Sequence, residues 1–397
     1  MAAKVDGVEV ERVMRSTVTA GVRLVGSAPR RVRQGRKPGA RDGFAVGVVG
    51  AASGAGLLLA ARLVARPGVR RVVGVDEVRG DLEGVHWRVL DPADPALVTA
   101  LTGLDAVVHS LVDVTVSADP AARSRRTVRG VQTLLTAAAA AAVPRVVVVT
   151  SAMVYGAVPD NPVPLAEEAP LQAQPDGALL SDLLEVEALV GRSRLSHPGT
   201  AVTVVRPAML VGPGVDTVLT RHFESPRLLA VKGSRPAWQF CHVDDLASAL
   251  EHVVTGAADD GSGPPEVVTV GCEGWLDQAR VEQLSGLGRL ELPAGLAFAT
   301  AERLHRVGLT PAPASELHFL AHPWVVSSAR LTATGWRPEH TNETALESLL
   351  EIVDGHRALG SRRLGRRERA TLGAAGATVA VLGSAAVVRR ARRQRRS

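Results

Sequence analysis

Between residues 44 and 150 the chain alternates short, β-branched apolar runs with longer stretches that are apolar on several faces. Residues 44–49, 71–75, 85–90, 105–110 and 145–150 read as strands. Residues 57–65 are apolar on nearly every face, as in a buried helix, and 121–142 also read as helical, with the alanines at 137–142 acting as helix formers. Such alternation is what a parallel, doubly wound α/β sheet requires. Residues 177–192 read as a further helix and 201–206 as a sixth strand. From 207 onward short strands, loops and helices mix, the pattern of a smaller C-terminal substrate lobe. The pattern therefore predicts four parts. They are a basic arm over 1–43, with a short helix near 8–25 and a Pro-, Gly- and Arg-rich stretch over 27–41; a dinucleotide-binding domain over 44–206, with part of the lobe inserted around 156–176; a lobe with returning core elements over 207–350; and a basic tail over 351–397.

The turn between the first strand and its helix carries the densest chemical signal. It holds Gly50, Ser53, Gly54 and Gly56, and Asp76 follows twenty positions after the last glycine, at the end of the second strand. A glycine turn opening a helix lets the backbone approach a pyrophosphate, whose charge then sits at the helix N-terminus. A carboxylate at the end of the second strand accepts both ribose hydroxyls of NAD and repels a 2′-phosphate. NAD is thus the expected cofactor.

Charge narrows the partners. Residues 1–43 hold ten Lys/Arg against four Asp/Glu, and 357–397 hold twelve Arg against Glu368 alone. That leaves 24 basic against 35 acidic residues in 44–356, so the folded part is acidic and a nucleic-acid-binding core is not expected. Cys241 and Cys272 are the two cysteines, too few for a disulfide framework and suited to a reducing cytoplasm. The first apolar stretch is broken by Arg12, Arg15 and Arg23, which argues against a secretory signal. Near the other end, the nineteen residues 370–388 carry no charge, with six arginines on each side. Their length suits a candidate membrane helix, their few leucines make insertion marginal, and Gly373, Gly376, Ala380 and Ser384 offer small faces. A tail anchor and a helix lying on anionic lipid both fit this segment, and a small-residue helix packed on the protein is the alternative.

The glycine motif with Asp76 is joined in order by Asp91, Asp105-Ala106-Val107-Val108-His109, Thr150-Ser151-Ala152-Met153-Val154-Tyr155-Gly156, Arg206-Pro207 and Trp238 to Asp245. Together these segments resemble the short-chain dehydrogenase/reductase superfamily, in its extended and atypical branch of NAD-dependent epimerases and dehydratases, over about 44–350. The resemblance implies that Asp91 bonds the adenine amino group, that Ser110 and Leu111 line the adenine ribose, and that Thr150 and Ser151 sit near the nicotinamide. It implies Ser151 as a catalytic residue, Tyr155 packed beside the site, where it is also a catalytic candidate as a proton donor, and Arg206 and His242 on the substrate side. The partner it implies is a small molecule, a nucleotide-sugar or other hydroxylated metabolite, and a homodimer is compatible with it.

One departure is decisive for chemistry. The family uses a Tyr-x-x-x-Lys pair on the helix after the serine motif, but with Glu187 as the anchor Leu179 and Leu183 stand at those positions. Tyr155 is the chain's one tyrosine, and no lysine lies between Lys37 and Lys232. Asp182, Glu185, Tyr155, His242 and His109 are the replacements considered for proton transfer. His318 and His322 share a helical spacing without a third ligand, so no metal is expected. Two functions remain open: an NAD-binding epimerase/dehydratase-like oxidoreductase, or a non-catalytic NAD(H)-binding sensor or scaffold at a membrane.

Overall fold

The computed structural model describes residues 43–110, 120–256, 264–307 and 313–363. The N-terminal arm, Leu111 and the 370–388 segment lie outside the described residues, and among the described residues no helix is long and apolar enough to cross a membrane. The first six strands are β1 (Phe44–Val49), β2 (Val69–Asp76), β3 (Val85–Val89), β4 (Ala106–His109), β5 (Arg145–Val149) and β6 (Ala201–Pro207). Beyond them come β7 (Met209–Val211), β8 (Arg227–Val231), β9 (Ala237–Trp238), β10 (Phe240–His242) and β11 (Val267–Val270).

Seven strands form one parallel sheet in the order β11-β6-β5-β4-β1-β2-β3. Reversal of strand order on the two sides of β1 opens a crevice at the carboxyl ends of β1 and β4, where ligands bind in doubly wound folds. Strand residues alternate between two apolar layers. Val46, Val48, Val108 and Val147 point into one, and Ala45, Val49, Val107, Val146 and Val148 into the other. That period of two explains why the central strands read as unbroken apolar runs, since both faces are covered.

The covering helices are α1 (Gly54–Ala65), α2 (Leu97–Leu101), α3 (Pro120–Ser124), α4 (Gly130–Ala140) and α5 (Leu179–Ser196). The helix expected over 121–142 is in fact α3, a π-helical turn over Arg125–Arg129, and α4. A π turn widens the spiral by one residue, and Arg123 before it and Arg126 within it both line the crevice. Two helices follow, α6 (Val218–Arg221) and α7 (Val243–Thr255), and α7 packs beside α1 on the sheet, where Glu251 accepts from Arg62 and Arg66 at 2.8 Å each. The remaining short strands pair off the main sheet: β7 with β10, and β8 with Gly288–Leu292. The 156–176 segment bridges to the 325–327 stretch, where Leu165 N donates to Val325 O and Ser327 N to Leu165 O.

Leu59 on α1 is fully buried against this core, whereas Leu195 near the end of α5 is 86% exposed. Leu59→Ala should therefore cost about 2–5 kcal/mol in urea unfolding, and Leu195→Ala should stay within about 0.5 kcal/mol of the parent.

Candidate functional site

The carboxyl ends of β1 and β5 open into a cavity of ≈330 Å³, walled by the glycine turn, Ser110, Thr150, Ser151, Leu179, Arg123 and Glu316. The glycine turn is built from the backbone outward. Gly50 takes φ +86 and donates its N–H to Val75 O at 2.8 Å, which clamps the turn to β2. Gly54 takes φ +54, and a Cβ there would meet nothing within 4 Å, so its face is open to the cavity. Gly56 serves a different need. A Cβ on it would lie 1.9 Å from Gly50 O and 2.4 Å from Ser110 Oγ, so only glycine lets α1 dock this closely. Ser53 is the exposed N-cap of α1, and its hydroxyl makes no capping bond to the helix. The first-turn amides of α1 thus lack a side-chain partner, the arrangement that favours an anion.

Asp76 lies behind the glycine turn, off the cavity wall. Its Oδ2 accepts Ala52 N at 3.0 Å and its Oδ1 accepts Glu77 N at 2.8 Å, so the carboxylate is held against the turn itself. Ser110 donates to Val49 O at 3.0 Å and lies 3.2 Å from Gly50 O, tying β4 to the turn. Asp91 is exposed, and its carboxylate accepts Ala93 N at 2.8 Å in a local turn after β3, outside the cavity wall. Buried Thr150 donates to Glu187 Oε1 at 2.9 Å, and Ser151 caps the Ala152–Tyr155 turn by accepting Met153 N at 3.2 Å. Ser151 also lines the cavity.

Three expected site residues are located elsewhere. Tyr155 is fully buried behind the wall; its hydroxyl donates to Glu167 O at 2.9 Å and accepts from Arg206 at 2.8 Å, and burial raises its pKa. A phenol so engaged acts as a structural strut between Glu167 and Arg206. Arg206 is equally committed: it makes two 2.9 Å bonds to Glu187, and its guanidinium lies 4.8 Å from the Tyr155 ring centroid. It holds the fold and is off the cavity wall. His242 caps α7, accepting Asp244 N at 3.3 Å, while its other nitrogen meets Ser348 Oγ at 3.1 Å and its ring stacks on His340 at 3.9 Å. It too is off the cavity wall.

The proton-transfer candidates from the sequence thin out similarly. His109 is buried, and desolvation lowers its pKa to about 4, so it stays neutral. Asp182 accepts Arg123 Nε at 2.7 Å in a buried pair, and Glu185 pairs with Arg192 at 2.7 Å on the surface. Leu179 lies on the cavity wall and Leu183 in the core, so both positions of the missing pair are apolar in space as in sequence. His242, Asp244 and His340 bring ligand atoms within 4.8 Å of one another, a grouping that the spacing of His318 and His322 did not foreshadow.

Sequence reasoning missed Glu316. It lies in the Ala314–Leu317 turn, is 7% exposed, and faces the cavity. Burial, reinforced by Asp176 and opposed by Arg123, pushes its carboxyl up to about 7. Neither periodicity nor a motif marks this position, and only its burial in the folded chain sets it apart.

A parallel sheet with this strand order, and a glycine turn at its switch point facing an acid on the next strand, define a doubly wound dinucleotide-binding protein. Residues 46–271 match the NAD dependent epimerase/dehydratase family, and the chain belongs to that family. An uncharacterized protein of Mycobacterium tuberculosis is 27% identical over 331 residues, covering 78% of this chain and 86% of that protein. Among solved structures, UDP-glucose 4-epimerase of Thermus thermophilus in complex with NAD superposes with a TM-score of 0.58 at 18% identity, covering 79% of this chain and 99% of that one. The dTDP-glucose 4,6-dehydratase of Bacillus anthracis in complex with NAD gives 0.56 at 15% identity, covering 79% and 97%. Both likenesses are in fold. The family's NAD fits the residues present, because the Gly56 contact leaves the turn no room for a side chain and Gly54 is bare toward the cavity.

Three substitutions separate the strut from the turn. Tyr155→Phe leaves Glu167 O and Arg206 Nη1 with only the 3.4 Å bond between them, and should cost about 1–3 kcal/mol of stability with NAD affinity unchanged by calorimetry. Gly56→Ala should abolish NAD binding as α1 is pushed off Gly50, whereas Gly54→Ala meets open space and bears only a left-handed φ, a strain of about 1–2 kcal/mol.

Proposed function

We propose that this chain is an NAD-binding oxidoreductase of the epimerase/dehydratase type that acts on a nucleotide-sugar or another small hydroxylated metabolite without a Tyr-x-x-x-Lys pair. The observation that carries the reading is one cavity lined by both Gly54, whose face is bare, and Ser151. A dinucleotide on the turn and a hydroxylated ligand at Ser151 would meet there. In this reading the amides at the start of α1 hold the pyrophosphate, Asp76 takes the adenosine ribose, and Asp91 remains the proposed adenine contact. Ser151 polarises a carbonyl or hydroxyl of the substrate through a hydrogen bond. NAD, when bound, supplies a hydride acceptor or donor, and the chain's own residues must handle the accompanying proton. Solved relatives in fold include a UDP-glucose 4-epimerase crystallised with UDP-glucose, which supports a nucleotide-sugar as the first substrate class to test.

A second reading is favoured by Leu179 and Leu183, which leave the usual acid–base positions apolar. It is a non-catalytic NAD(H)-binding protein that reports redox state or scaffolds partners. Turnover at ordinary enzymatic rates, roughly 1–1000 s⁻¹, on a panel of nucleotide-sugars favours the first reading. Tight NAD binding with no turnover across that panel favours the second.

Both readings share one requirement. NAD should bind more tightly than NADP, because the Asp76 carboxylate faces a ribose edge that a 2′-phosphate would make anionic. Asp76→Ala should weaken NAD by about tenfold, the loss of ~1.4 kcal/mol, and bring the two cofactors to similar affinity in fluorescence titration. Equal affinity in the unsubstituted protein would overturn the assignment.

A further inference from the structure

The absent phenol leaves the cavity in need of a group that can both take and give a proton. We propose that Glu316 is that group, exchanging a proton with a hydroxyl or carbonyl of the bound ligand; the inference rests on reading the cavity as a dinucleotide and substrate site.

The placement is specific. The Ala314–Leu317 turn is tied to the start of α5 by Ser315 Oγ, which donates to Asp176 Oδ2 at 3.2 Å. Asp176 in turn accepts Ala178 N at 2.8 Å and Ser181 N at 3.3 Å, so the turn is anchored to the helix that carries Leu179. A carboxyl from a distant part of the chain is thereby brought to the cavity that Leu179 and Ser151 also line. Among the described residues no hydrogen bond reaches the Glu316 carboxyl, although the residue is buried. A buried carboxylate without a donor is costly to ionise, so its protonated form persists to higher pH than on a surface.

Its electrostatic surroundings are mixed. Asp176 raises the pKa and Arg123 lowers it, while Arg123 is itself held by Asp182 at 2.7 Å. Arg126 of the π turn and Asp216 of the loop before α6 also line the cavity. Behind the turn, His318 is kept below its ordinary range by burial. The net result is a carboxyl poised near neutrality, where an acid–base group populates both of its forms. In the oxidative direction a substrate hydroxyl gives its proton to a Glu316 carboxylate oxygen as the adjacent carbon loses its hydrogen with the electron pair to an oxidised nicotinamide dinucleotide. The alcohol becomes a carbonyl, and the reverse reaction returns the proton from the Glu316 acid.

The test uses the whole chain, with NAD⁺ and NADH as probes. Infrared difference spectra between the parent and Glu316→Gln should show a protonated-carboxyl band that titrates with a midpoint near 7. Ionised Glu316 favours a cationic nicotinamide in the same cavity and is indifferent to a neutral one. The ratio of NAD⁺ to NADH affinity should therefore rise about tenfold between roughly pH 6 and 8.5 in the parent, and stay flat in Glu316→Gln. A carboxyl already ionised at pH 6, or a flat ratio in a parent that binds both cofactors, overturns the proposal and leaves the dinucleotide site standing. A parent that binds neither cofactor overturns the dinucleotide site itself.

Discussion

The paired charges of Arg206 and Glu187 hold together the wall on which the site is built. They join β6 to α5 through two 2.9 Å bonds, and Thr150 at the end of β5 adds a third bond to the same carboxylate. Arg206 reaches onward to the Tyr155 hydroxyl, which in turn bonds Glu167 O in the 156–176 segment. Four pieces of chain thus converge on one ion pair whose side chains are both less than a tenth exposed. Such a pair contributes little net stability against an apolar substitute, but removing one partner leaves a charge buried alone at a cost of about 3–5 kcal/mol. What it supplies is position. Ser151 lies between two members of this network, Thr150 and Tyr155, and lines the cavity.

That commitment ties the chain's one tyrosine to the wall of the site. A phenol that gives its proton to Glu167 O and receives an Arg206 N–H has no free role toward a ligand, and burial raises its pKa further. The structural demand on Tyr155 and the catalytic demand of the cavity fall on different residues. Glu316 meets the second demand for the opposite reason, since no described group claims its carboxyl.

Legibility in the sequence followed the range of the interactions involved. The doubly wound sheet could be read because each central strand is a short β-branched run, and burial on both faces removes the polar alternation that might have confused it. The glycine turn was equally local: Gly50, Gly54 and Gly56 answer to neighbours within the same strand–turn–helix unit, with Ser110 on the adjoining strand. Arg206 and His242 misled because their partners lie far along the chain. Glu187 is 19 residues from Arg206, and Ser348 is 106 from His242. The π turn inside the expected 121–142 helix left no periodic trace, since one extra residue in a single turn barely shifts a hydrophobic stripe.

Glu316 shows the limit of that kind of reading. On an exposed loop the same Ser-Glu-Leu sequence would carry an ordinary surface carboxylate, and nothing in its neighbours says otherwise. Its chemistry is created by the Ser315–Asp176 bond, which spans 139 residues, and by the burial that follows from it. The dinucleotide half of the cavity is therefore encoded locally, by a turn and the strand beside it, while its proton-handling half is assembled across the fold. The two halves depend on different contacts. A chain can keep the first, as the glycine turn requires, while the second passes from a helix-borne phenol to a carboxyl delivered by a distant loop.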